Sequence, residues 1–408
     1  MERIIFHIDV NSAYLSWTAL QMLSEGADVD LREIPSIIGG DIEKRHGVVL
    51  AKSISAKAYG IVTGEPVVNA VRKCPHLVSA KPDHEMYDRK SHELMSFLLD
   101  ICPDIEKASV DECYMDFTPI AHRYPSPEEA AETIKNEVFS RFGFTVNIGI
   151  SDRKVLAKMA SDFKKPNLVH TLYSHEIRQK LWPLPISNLF MCGRSSVETL
   201  RKLEILTIGD LARANLQIVE AHLKSHGKVL WEYANGIDDS GVGYVPAKQK
   251  GVGNSTTLSH DVTDRQEALH TLLELAESVG KRLRTSGEIA GLVCTEIKYN
   301  TFQSVSHQKV LSTPSSSNDV IYKAAVELFD ELWDHTPIRL LGIRTSKLQT
   351  QDEPVQMSLF DLDTAVPSEK QQKLDAALDS IRSRYGSSSV VRGSLFTNMN
   401  GTKKPQSD

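Results

Sequence analysis

The N-terminal part of the chain alternates between short apolar runs and amphipathic stretches, which predicts a sheet covered by helices. A nearly continuous β-branched run from Arg3 to Val10 predicts a buried strand, after which Asn11 and Ser12 can cap a helix that begins at Ala13. Further helices are predicted at 84–101, 126–139 and 153–163, and further strands at 105–110, 113–117 and 145–150. The element order is therefore strand, long insertion, helix, strand, strand, helix, strand.

This order is that of a split β-α-β fold with one insertion after the first strand. In such a fold the first and third strands are antiparallel neighbours at the centre of the sheet. The end of the first strand therefore lies beside the start of the third. Asp9 occupies the first of these places, and Asp111 and Glu112 occupy the second. The topology predicts that three carboxylates meet at one end of the sheet.

Three carboxylates at a sheet end have two interpretations. Each one alone could simply cap a helix or close a turn. Together they are typical of a site for divalent cations such as Mg²⁺, which prefers carboxylate and carbonyl oxygens and leaves room for substrate phosphates. Two such ions can activate a hydroxyl group and stabilise a leaving pyrophosphate. Lys52, Lys57 and Lys165 are suited to a triphosphate, although lysine runs are also typical of a solvated surface.

The pattern changes twice beyond residue 168. Residues 181–237 predict short helices, and residues 239–253, rich in Gly and polar side chains, predict a linker. Residues 255–348 then predict a second unit in the order strand, helix, strand, strand, helix, strand. A short helix is predicted between Ser368 and Ser383 in a polar tail. The predicted fold class is α+β with several domains.

Composition limits the class of protein. The 408 residues allow two to four domains, and the net charge of -6 disfavours a simple basic nucleic-acid binder, although an acidic protein can carry a basic groove. The apolar runs are too short to cross a membrane, no signal peptide is recognisable, and the five cysteines form no CxxC pair. We expect a cytoplasmic protein with reduced thiols and no membrane association.

Four motifs, in this order, resemble those of the Y family of DNA polymerases, and within it the bacterial DNA polymerase IV branch. The motifs are Ile8-Asp9-Val10-Asn11-Ser12-Ala13-Tyr14, Ser109-Val110-Asp111-Glu112-Cys113-Tyr114-Met115-Asp116, Gly149-Ile150-Ser151 and Lys165-Pro166-Asn167. The resemblance runs from about Arg3 to Leu348. It implies a ferredoxin-like palm (1–10 and 78–168) with inserted fingers (11–77), an all-helical thumb with a helix-hairpin-helix (169–238), a linker (239–253), an α+β little finger (254–348) and a flexible tail (349–408).

The resemblance also implies a role for each matching residue of the acidic site. Asp9 and Asp111 would each bind both of two Mg²⁺ ions. Glu112 would complete the site on the primer side, and the carbonyl of Val10 would be a further ligand. Tyr14 falls at the position of the family's steric gate, whose flat ring excludes a ribose 2′-hydroxyl. Without the resemblance, Tyr14 would be interpreted as a core aromatic residue.

The phosphate contacts depart in part from the family pattern. Lys165 matches the triphosphate lysine of the family. In the fingers, however, the Tyr and Arg of a Y-E-A-R-like run are replaced by Ile54 and Lys57. A phenol donor is lost and a bidentate fork becomes a point charge. Ser53 or Ser55 could substitute for the missing donor, and a lower nucleotide affinity is expected.

DNA contacts are implied for the thumb and the little finger. In the thumb hairpin the usual G-V-G or G-I-G reads Met191-Cys192-Gly193, so Gly193 keeps a backbone contact with phosphate and Met191 replaces the first glycine. Residues 246–350 hold twelve basic and twelve acidic residues, so the little finger is not basic overall. Its cations on or beside strands predict one basic sheet face. These cations are Lys298, Lys309, Arg339, Arg344 and Lys347.

A peptide in the tail resembles the ligands of sliding clamps. Gln356 precedes the hydrophobic pair Leu359 and Phe360, which would fill an apolar pocket on the clamp while Gln356 bonds to its rim. The expected partners are therefore primer–template DNA, dNTPs and the β subunit of the clamp. Nothing in the sequence indicates more than a monomer.

Together the motifs predict a template-directed DNA polymerase that adds dNMPs to a primer 3′-hydroxyl by two-metal catalysis. By resemblance it would work with low fidelity, copy damaged templates and lack proofreading, and the small Ser12 and Ala13 beside Tyr14 indicate a roomy pocket. Two alternatives stay open. One is a restricted deoxynucleotidyl transferase with the same fold. The other is a catalytically idle scaffold bound to DNA and clamp, which the departures at Ile54 and Met191 suggest.

Overall fold

The structure is a computed structural model that describes residues 3–40, 47–243, 249–350, 369–386 and 389–390. These residues form two compact units, of which the first comprises 3–40 and 47–243 and the second comprises 249 onwards. In the part of the chain that is described, no helix is both long and apolar enough to span a membrane.

The regular elements follow the predicted order closely. The strands are β1 (Ile5–Val10), β2 (Ser36–Gly39), β3 (Val49–Lys52), β4 (Val78–Ala80), β5 (Ile105–Lys107), β6 (Glu112–Asp116), β7 (Val146–Ser151), β8 (Val169–Thr171), β9 (Gly251–Val262), β10 (Glu288–Tyr299), β11 (Ser304–Ser315) and β12 (Ile338–Thr350). The α-helices are α1 (Ala13–Ser24), α2 (Ile54–Ala58), α3 (Val67–Lys73), α4 (His84–Ile101), α5 (Pro127–Phe142), α6 (Lys154–Ser161), α7 (Ile177–Lys180), α8 (Arg194–Lys202), α9 (Ile208–Arg213), α10 (Leu216–Ala234), α11 (Arg265–Thr285), α12 (Asn318–Leu332) and α13 (Glu369–Tyr385).

The centre of the first unit is a five-stranded sheet in the order β5-β6-β1-β7-β8. Strand β1 runs antiparallel to both of its neighbours, β6 and β7, and β8 runs parallel to β7. The prediction that the first and third strands of this sheet are antiparallel neighbours is therefore confirmed.

The two faces of this sheet differ in what they bury. Side chains alternate along a strand, so Phe6, Ile8 and Val10 enter the apolar core beneath α4 and α5, while His7 and Asp9 lie on the face covered by α6. Helix α6 approaches the sheet closely at Gly149, where an added Cβ would lie 2.0 Å from the carbonyl oxygen of a residue in α6. The absence of a side chain at Gly149 therefore sets the position of α6 over the polar end of β1.

Local capping explains where the covering helices begin. Asp83 accepts a hydrogen bond from the amide of Met86 at 3.0 Å and starts α4, and Ser126 accepts from the amide of Glu129 at 3.1 Å and starts α5. The expectation that Ser12 caps α1 is wrong. Ser12 adopts a left-handed conformation with φ 48° and makes no capping bond through its side chain.

The long insertion after β1 builds a small sheet of its own. Its order is β3-β2-β4, with β2 antiparallel to β3 and parallel to β4. Helices α1, α2 and α3 belong to the same insertion. A separate apolar core supports this sheet and includes Ile37, Val49, Ile61 and Val67. After the five-stranded sheet, α7 to α10 pack around a helical core, and α10 is interrupted at Lys224, whose φ is 56°.

The second unit contains a four-stranded antiparallel sheet in the order β11-β10-β12-β9, with α11 and α12 packed on one face. Strand β9 begins at Gly251, so the last three residues of the predicted linker, 251–253, belong to the sheet. The predicted order of strands and helices in this unit is confirmed.

The predicted short helix near the C-terminus is present as α13, and it packs on α11 and α12. Asp375 is 1% exposed and accepts hydrogen bonds from the backbone N–H and side-chain amide of Asn318, at 3.2 and 3.3 Å. Arg284 forms an ion pair with Asp379 at 2.6 Å. Because the N-cap residue of α12, Ser317, makes no capping bond through its side chain, Asp375 supplies the acceptor at the start of α12.

Candidate active site

The end of β1 and the start of β6 bring acidic residues together. Asp9 and Glu112 are register partners across the antiparallel pair of strands, and both belong to the face of the sheet covered by α6. The amide of Val10 donates to the carbonyl of Asp111 at 3.1 Å. All three predicted acidic residues are thus located at one end of the central sheet, as the topology required.

Ser109 fixes the turn that carries Asp111. Its hydroxyl donates to Oδ1 of Asp111 at 2.6 Å and accepts from the amides of Asp111 and Glu112, at 3.2 and 3.0 Å. This turn requires the chain to leave the sheet early. The predicted strand at 105–110 therefore ends already at Lys107, because residues 108–111 curl around the Ser109 hydroxyl.

Two lysines hold the buried carboxylates. Lys165 Nζ lies 2.5 Å from Asp9 Oδ2, and Lys158 Nζ lies 2.6 Å from Glu112 Oε1 and 3.9 Å from Asp9 Oδ1. Burial raises the pKa of Asp9 to about 7 despite these ammonium groups, because water cannot solvate its charge. Burial acts in the same direction on Glu112, but contacts with His7, Asp9 and Lys158 outweigh it and lower the pKa of that carboxyl.

A cavity of about 740 Å³ opens beside the carboxylates. Its lining includes Asp9, Asp111, Tyr14, Lys57 and Lys165. The structure therefore brings the predicted acidic, sugar-facing and phosphate-facing residues around one space. Glu112 is not part of the cavity wall and joins the site through its pairing with Asp9.

The ring of Tyr14 is held in place by a second aromatic residue. It stacks on Tyr87 with a centroid separation of 4.4 Å and an interplanar angle of 13°. The hydroxyl of Tyr87 is hydrogen-bonded to that of Thr18 at 2.9 Å, which fixes Tyr87 in turn. Tyr14 is partly exposed to the cavity and packs against the apolar core on its other side, so its position leaves both interpretations of this residue open.

The inserted segment contributes one wall of the cavity, where an apolar side chain lies among polar and cationic ones. Ile54 is 65% exposed and lines the cavity together with Lys52, Ser53 and Lys57. The hydroxyl of Ser53 accepts from the amides of Ser36 and Ala56, at 3.1 and 3.0 Å, and its remaining contact, 3.0 Å from the hydroxyl of Ser55, takes up its proton. Ser53 is therefore a helix cap, and this role disfavours it as a replacement for the missing phenol donor.

The oxygen donors at this end of the sheet are of the kind that magnesium prefers. Within the described ranges, no group of three or more His, Cys, Asp or Glu side chains is arranged to hold a metal ion. The carboxylates of Asp9, Asp111 and Glu112 nevertheless supply only hard oxygen ligands, and Ser109 already orients one of them. Two of the three are bonded to lysine ammonium groups, which compete with any cation for the same oxygens.

Family models match both units. Residues 8–162 match the impB/mucB/samB family and residues 249–359 match its C-terminal domain. The DNA polymerase IV of Clostridium acetobutylicum is 45% identical over 97% of this chain and 99% of its own, and that of Clostridium kluyveri is 34% identical over the same shares. The chain belongs to the Y family of DNA polymerases, in its DNA polymerase IV branch.

As a Y-family member the chain is a DNA-directed DNA polymerase. A chimeric Y-family DNA polymerase of known structure has the same fold, with a TM-score of 0.73 and 21% identity over 85% of this chain and 99% of the other. In Y-family terms the five-stranded sheet is the palm, the inserted segment is the fingers, α7 to α10 form the thumb and the four-stranded sheet belongs to the little finger. The predicted fold class is confirmed.

The thumb hairpin shows why a glycine is usual at its first position. Met191 adopts φ 67°, in the left-handed region that favours glycine, and its side chain is 54% exposed. Gly193 is the N-cap residue of α8 and has open space where a side chain would lie. The hairpin therefore keeps its shape in this polymerase despite the methionine.

One of the cations predicted for a basic face of the little finger lies on the other side of the sheet, and an acidic residue lies beside another. Lys309 forms an ion pair with Glu327 of α12, on the helix side of the sheet, so it does not belong to an open basic face. Arg344 lines a concavity of about 610 Å³ on the sheet, which Glu296 also lines. Arg339 lies over the ring of Phe302, 4.7 Å from its centroid. The clamp peptide, with Gln356, Leu359 and Phe360, lies outside the described residues.

Sequence reasoning missed four residues that shape the polymerase site. They are His7, Asn11, Tyr87 and Lys158. Asn11 was expected to cap a helix, but its amide donates to Asn147 at 3.1 Å and its oxygen accepts from the amide of Asn167 at 2.9 Å, which ties β1 to the segment that follows Lys165. Period-two alternation along β1 could have placed His7 beside Asp9 on the polar face. Nothing in the sequence pairs Tyr87 with Tyr14.

Proposed function

We propose that this DNA polymerase performs low-fidelity, translesion synthesis by adding dNMPs to a primer 3′-hydroxyl through two-metal catalysis. The observation that carries the proposal is the arrangement at the end of β1. Asp9 pairs in register with Glu112, and Asp9 and Asp111 line the same cavity as Tyr14 and Lys165.

Asp9, Asp111 and Glu112 would hold the metal ions, with the carbonyl of Val10 as a further ligand. Two bound Mg²⁺ ions would supply charge neutralisation for the reacting α-phosphate and the leaving pyrophosphate. The protein side chains contribute position. Ser109 holds the Asp111 carboxylate in one orientation, and the sheet register fixes Asp9 against Glu112.

The lysines of the cavity would bind the triphosphate. Lys165 is 36% exposed, so its ammonium group can turn from Asp9 and Asp162 towards a phosphate that enters the cavity. Lys57, on α2, also lines the cavity and provides a second point charge. With Ile54 in place of the phenol donor, the cations on the fingers side of the cavity are Arg32, Lys52 and Lys57.

Selection of the sugar and tolerance of damage would come from the same wall. The Tyr14 ring, supported by Tyr87, would close the space below C2′ of the incoming sugar. Ser12 and Ala13 also line the cavity and are small, which leaves volume for a distorted base pair. We also propose that proofreading is absent, since within the described residues the palm, fingers, thumb and little finger account for both units.

DNA and clamp contacts complete the proposal. Gly193 in the thumb hairpin and Arg339 and Arg344 on the little finger would bind the backbone of primer–template DNA. Gln356, Leu359 and Phe360 would bind the β sliding clamp. We propose that the polymerase acts as a monomer in the cytoplasm.

Primer extension on four templates that differ only in the templating base tests this function. The proposal predicts that the inserted nucleotide follows the template, that products form a ladder, and that a template with an abasic site is copied past the lesion. Addition of one favoured nucleotide on all templates would support the restricted transferase instead. No extension, with DNA and clamp still bound, would support the idle scaffold.

A further inference from the structure

Lys158 is the most buried cation of the active site. Its side chain, on α6, is 10% exposed, and its Nζ lies 2.6 Å from Glu112 Oε1, 3.4 Å from Asp162 Oδ2 and 3.9 Å from Asp9 Oδ1. It does not line the nucleotide cavity. The proposed roles of the other site residues therefore leave this ammonium group unused.

A buried chain of hydrogen bonds fixes the turn of α6 that carries Lys158. The hydroxyl of Ser161 donates to the Lys158 carbonyl at 2.8 Å. Ser161 Oγ also lies 2.8 Å from Nδ1 of His7, so one hydrogen-bonded contact joins this turn of α6 to β1. His7 is fully buried on β1, two residues before Asp9. Strand β1 thus carries Asp9 and, through the contact between His7 and Ser161, also fixes the turn of α6 that carries Lys158.

The position of Lys158 has an electrostatic consequence for metal binding. An ammonium group that donates to Glu112 Oε1 occupies an oxygen that a divalent cation would also need, and it adds a positive charge a few ångströms from Asp9. Repulsion between cations at this distance is strong where water is largely excluded. Lys165 differs from Lys158 in this respect, because it is exposed enough to move away from Asp9 and bind a triphosphate.

We propose that Lys158 is a positioning residue that lowers the affinity of the acidic site for a divalent ion until the triphosphate arrives. The negative charge of the nucleotide then offsets the ammonium group, so that metal and nucleotide bind in a coupled manner. This inference rests on the proposed assignment of Asp9 and Glu112 as metal ligands. It extends that assignment by naming the residue of this chain that sets the affinity.

The test is a titration of the nucleotide-free, full-length protein with Mn²⁺ alone, with free Mn²⁺ followed by electron paramagnetic resonance at fixed pH and ionic strength. Lys158→Met is expected to bind Mn²⁺ about tenfold more tightly than the wild type, the size of one charged hydrogen bond. Lys158→Arg is expected to restore the wild-type affinity. Equal or weaker binding by Lys158→Met would overturn the proposal.

Lys154 provides a matched control on the same helix. It lies one turn before Lys158, is 13% exposed and pairs with Glu106 at 2.7 Å, so Lys154→Met removes the same charge at a similar burial but from another carboxylate. Its Mn²⁺ affinity should stay within twofold of the wild type. In a Glu112→Gln background most of the gain from Lys158→Met should disappear. If the removal of any nearby positive charge strengthened Mn²⁺ binding, all of these variants would bind Mn²⁺ more tightly than the wild type. That result would contradict the proposal.

Two further measurements separate the possible failures. If Lys158→Met does not fold, as judged by circular dichroism, Lys158→Gln replaces it as a more polar substitute. Asp9→Asn and Glu112→Gln alone should each weaken Mn²⁺ binding. If they do not, the assignment of the metal ligands fails. If they do while Lys158→Met has no effect, only the role of Lys158 fails.

Discussion

Asp9 and Glu112 face each other across the central strand pair because they are register partners where β1 ends and β6 begins. Their separation is thus a property of the sheet and needs no flexible loop. A slip of one residue between β1 and β6 would move every side chain of a strand to the opposite face. The apolar residues that enter the core from β1, such as Phe6 and Ile8, therefore also guarantee that Asp9 points to the α6 side.

Ser109 is expected to matter for the rate and little for binding. Ser109→Ala removes the donor that orients Asp111 and the acceptor of two turn amides, so the carboxylate is held less firmly. We predict a fall in kcat of about 10- to 100-fold with a KM for dNTP near that of the wild type, because misplacement by about 1 Å has costs of this size. Single-nucleotide insertion kinetics would check this.

Ser126→Ala is the control for that experiment. It removes a hydroxyl that only caps α5, and it is expected to lower stability by about 1 kcal/mol without changing kcat. If Ser109→Ala behaved in the same way, the orienting role of Ser109 would be wrong.

Tyr87 should influence sugar selection although it does not line the cavity. Tyr14→Ala is predicted to raise the relative use of rNTPs about 100-fold, because the ring that blocks the 2′-hydroxyl is gone. Tyr87→Leu leaves Tyr14 without its stacking partner and should produce a smaller rise, while Tyr14→Phe should behave like the wild type. The ratio of kcat/KM for matched dNTP and rNTP pairs measures the effect. Unchanged discrimination in Tyr87→Leu would show that the stack does not support the gate.

Helix α13 should stabilise the second unit. Asp375→Ala removes the acceptor at the start of α12. We predict that it lowers the free energy of unfolding by about 1–3 kcal/mol, because buried donors are left unpaired. Asp379, the partner of Arg284, is 21% exposed, so Asp379→Ala should lower the free energy of unfolding by less. Thermal unfolding and hydrogen exchange of the first amides of α12 would measure both. Equal, small effects would mean that α13 contributes little to the fold.

The clamp peptide should control processivity and not chemistry. Leu359→Ala combined with Phe360→Ala is predicted to weaken clamp binding by at least about tenfold, as expected for the loss of two apolar anchors. Extension of a primer without clamp should stay unchanged. Thr364→Ala, in the same tail, serves as the control. Processivity that survives the double substitution on clamp-loaded DNA would place clamp binding elsewhere in the chain.

The sequence predicted the palm well because its signals are physical and local. Helix α4 has the predicted bounds, and the central strands were marked by β-branched runs such as that of β1. The convergence of Asp9, Asp111 and Glu112 followed from topology alone. The turn at Ser109 was missed because a hydroxyl that binds three groups at once leaves no mark in hydrophobic periodicity.

The remaining site residues depend on tertiary contacts that one sequence does not reveal. Tyr14 and Tyr87 are far apart in the chain, and only the packing of α1 against α4 stacks their rings. Lys158 lies in the helix predicted at 153–163, but its contact with Glu112 depends on Gly149, which lets α6 approach the sheet. Lys309 was placed on a basic face, but Glu327 of α12 takes up its charge.

The most direct test of the central claim compares single-turnover dNTP incorporation by the wild type and Asp111→Asn on an undamaged primer–template with Mg²⁺. Asp116→Asn is the control, since Asp116 ends β6, the strand that follows Asp111, and its carboxylate accepts only from the amide of Thr118 among the hydrogen bonds described. We predict that Asp111→Asn slows incorporation by about a thousandfold or more while DNA binding is kept, and that Asp116→Asn is near normal. Incorporation by Asp111→Asn within tenfold of the wild type would contradict the assignment of the acidic site.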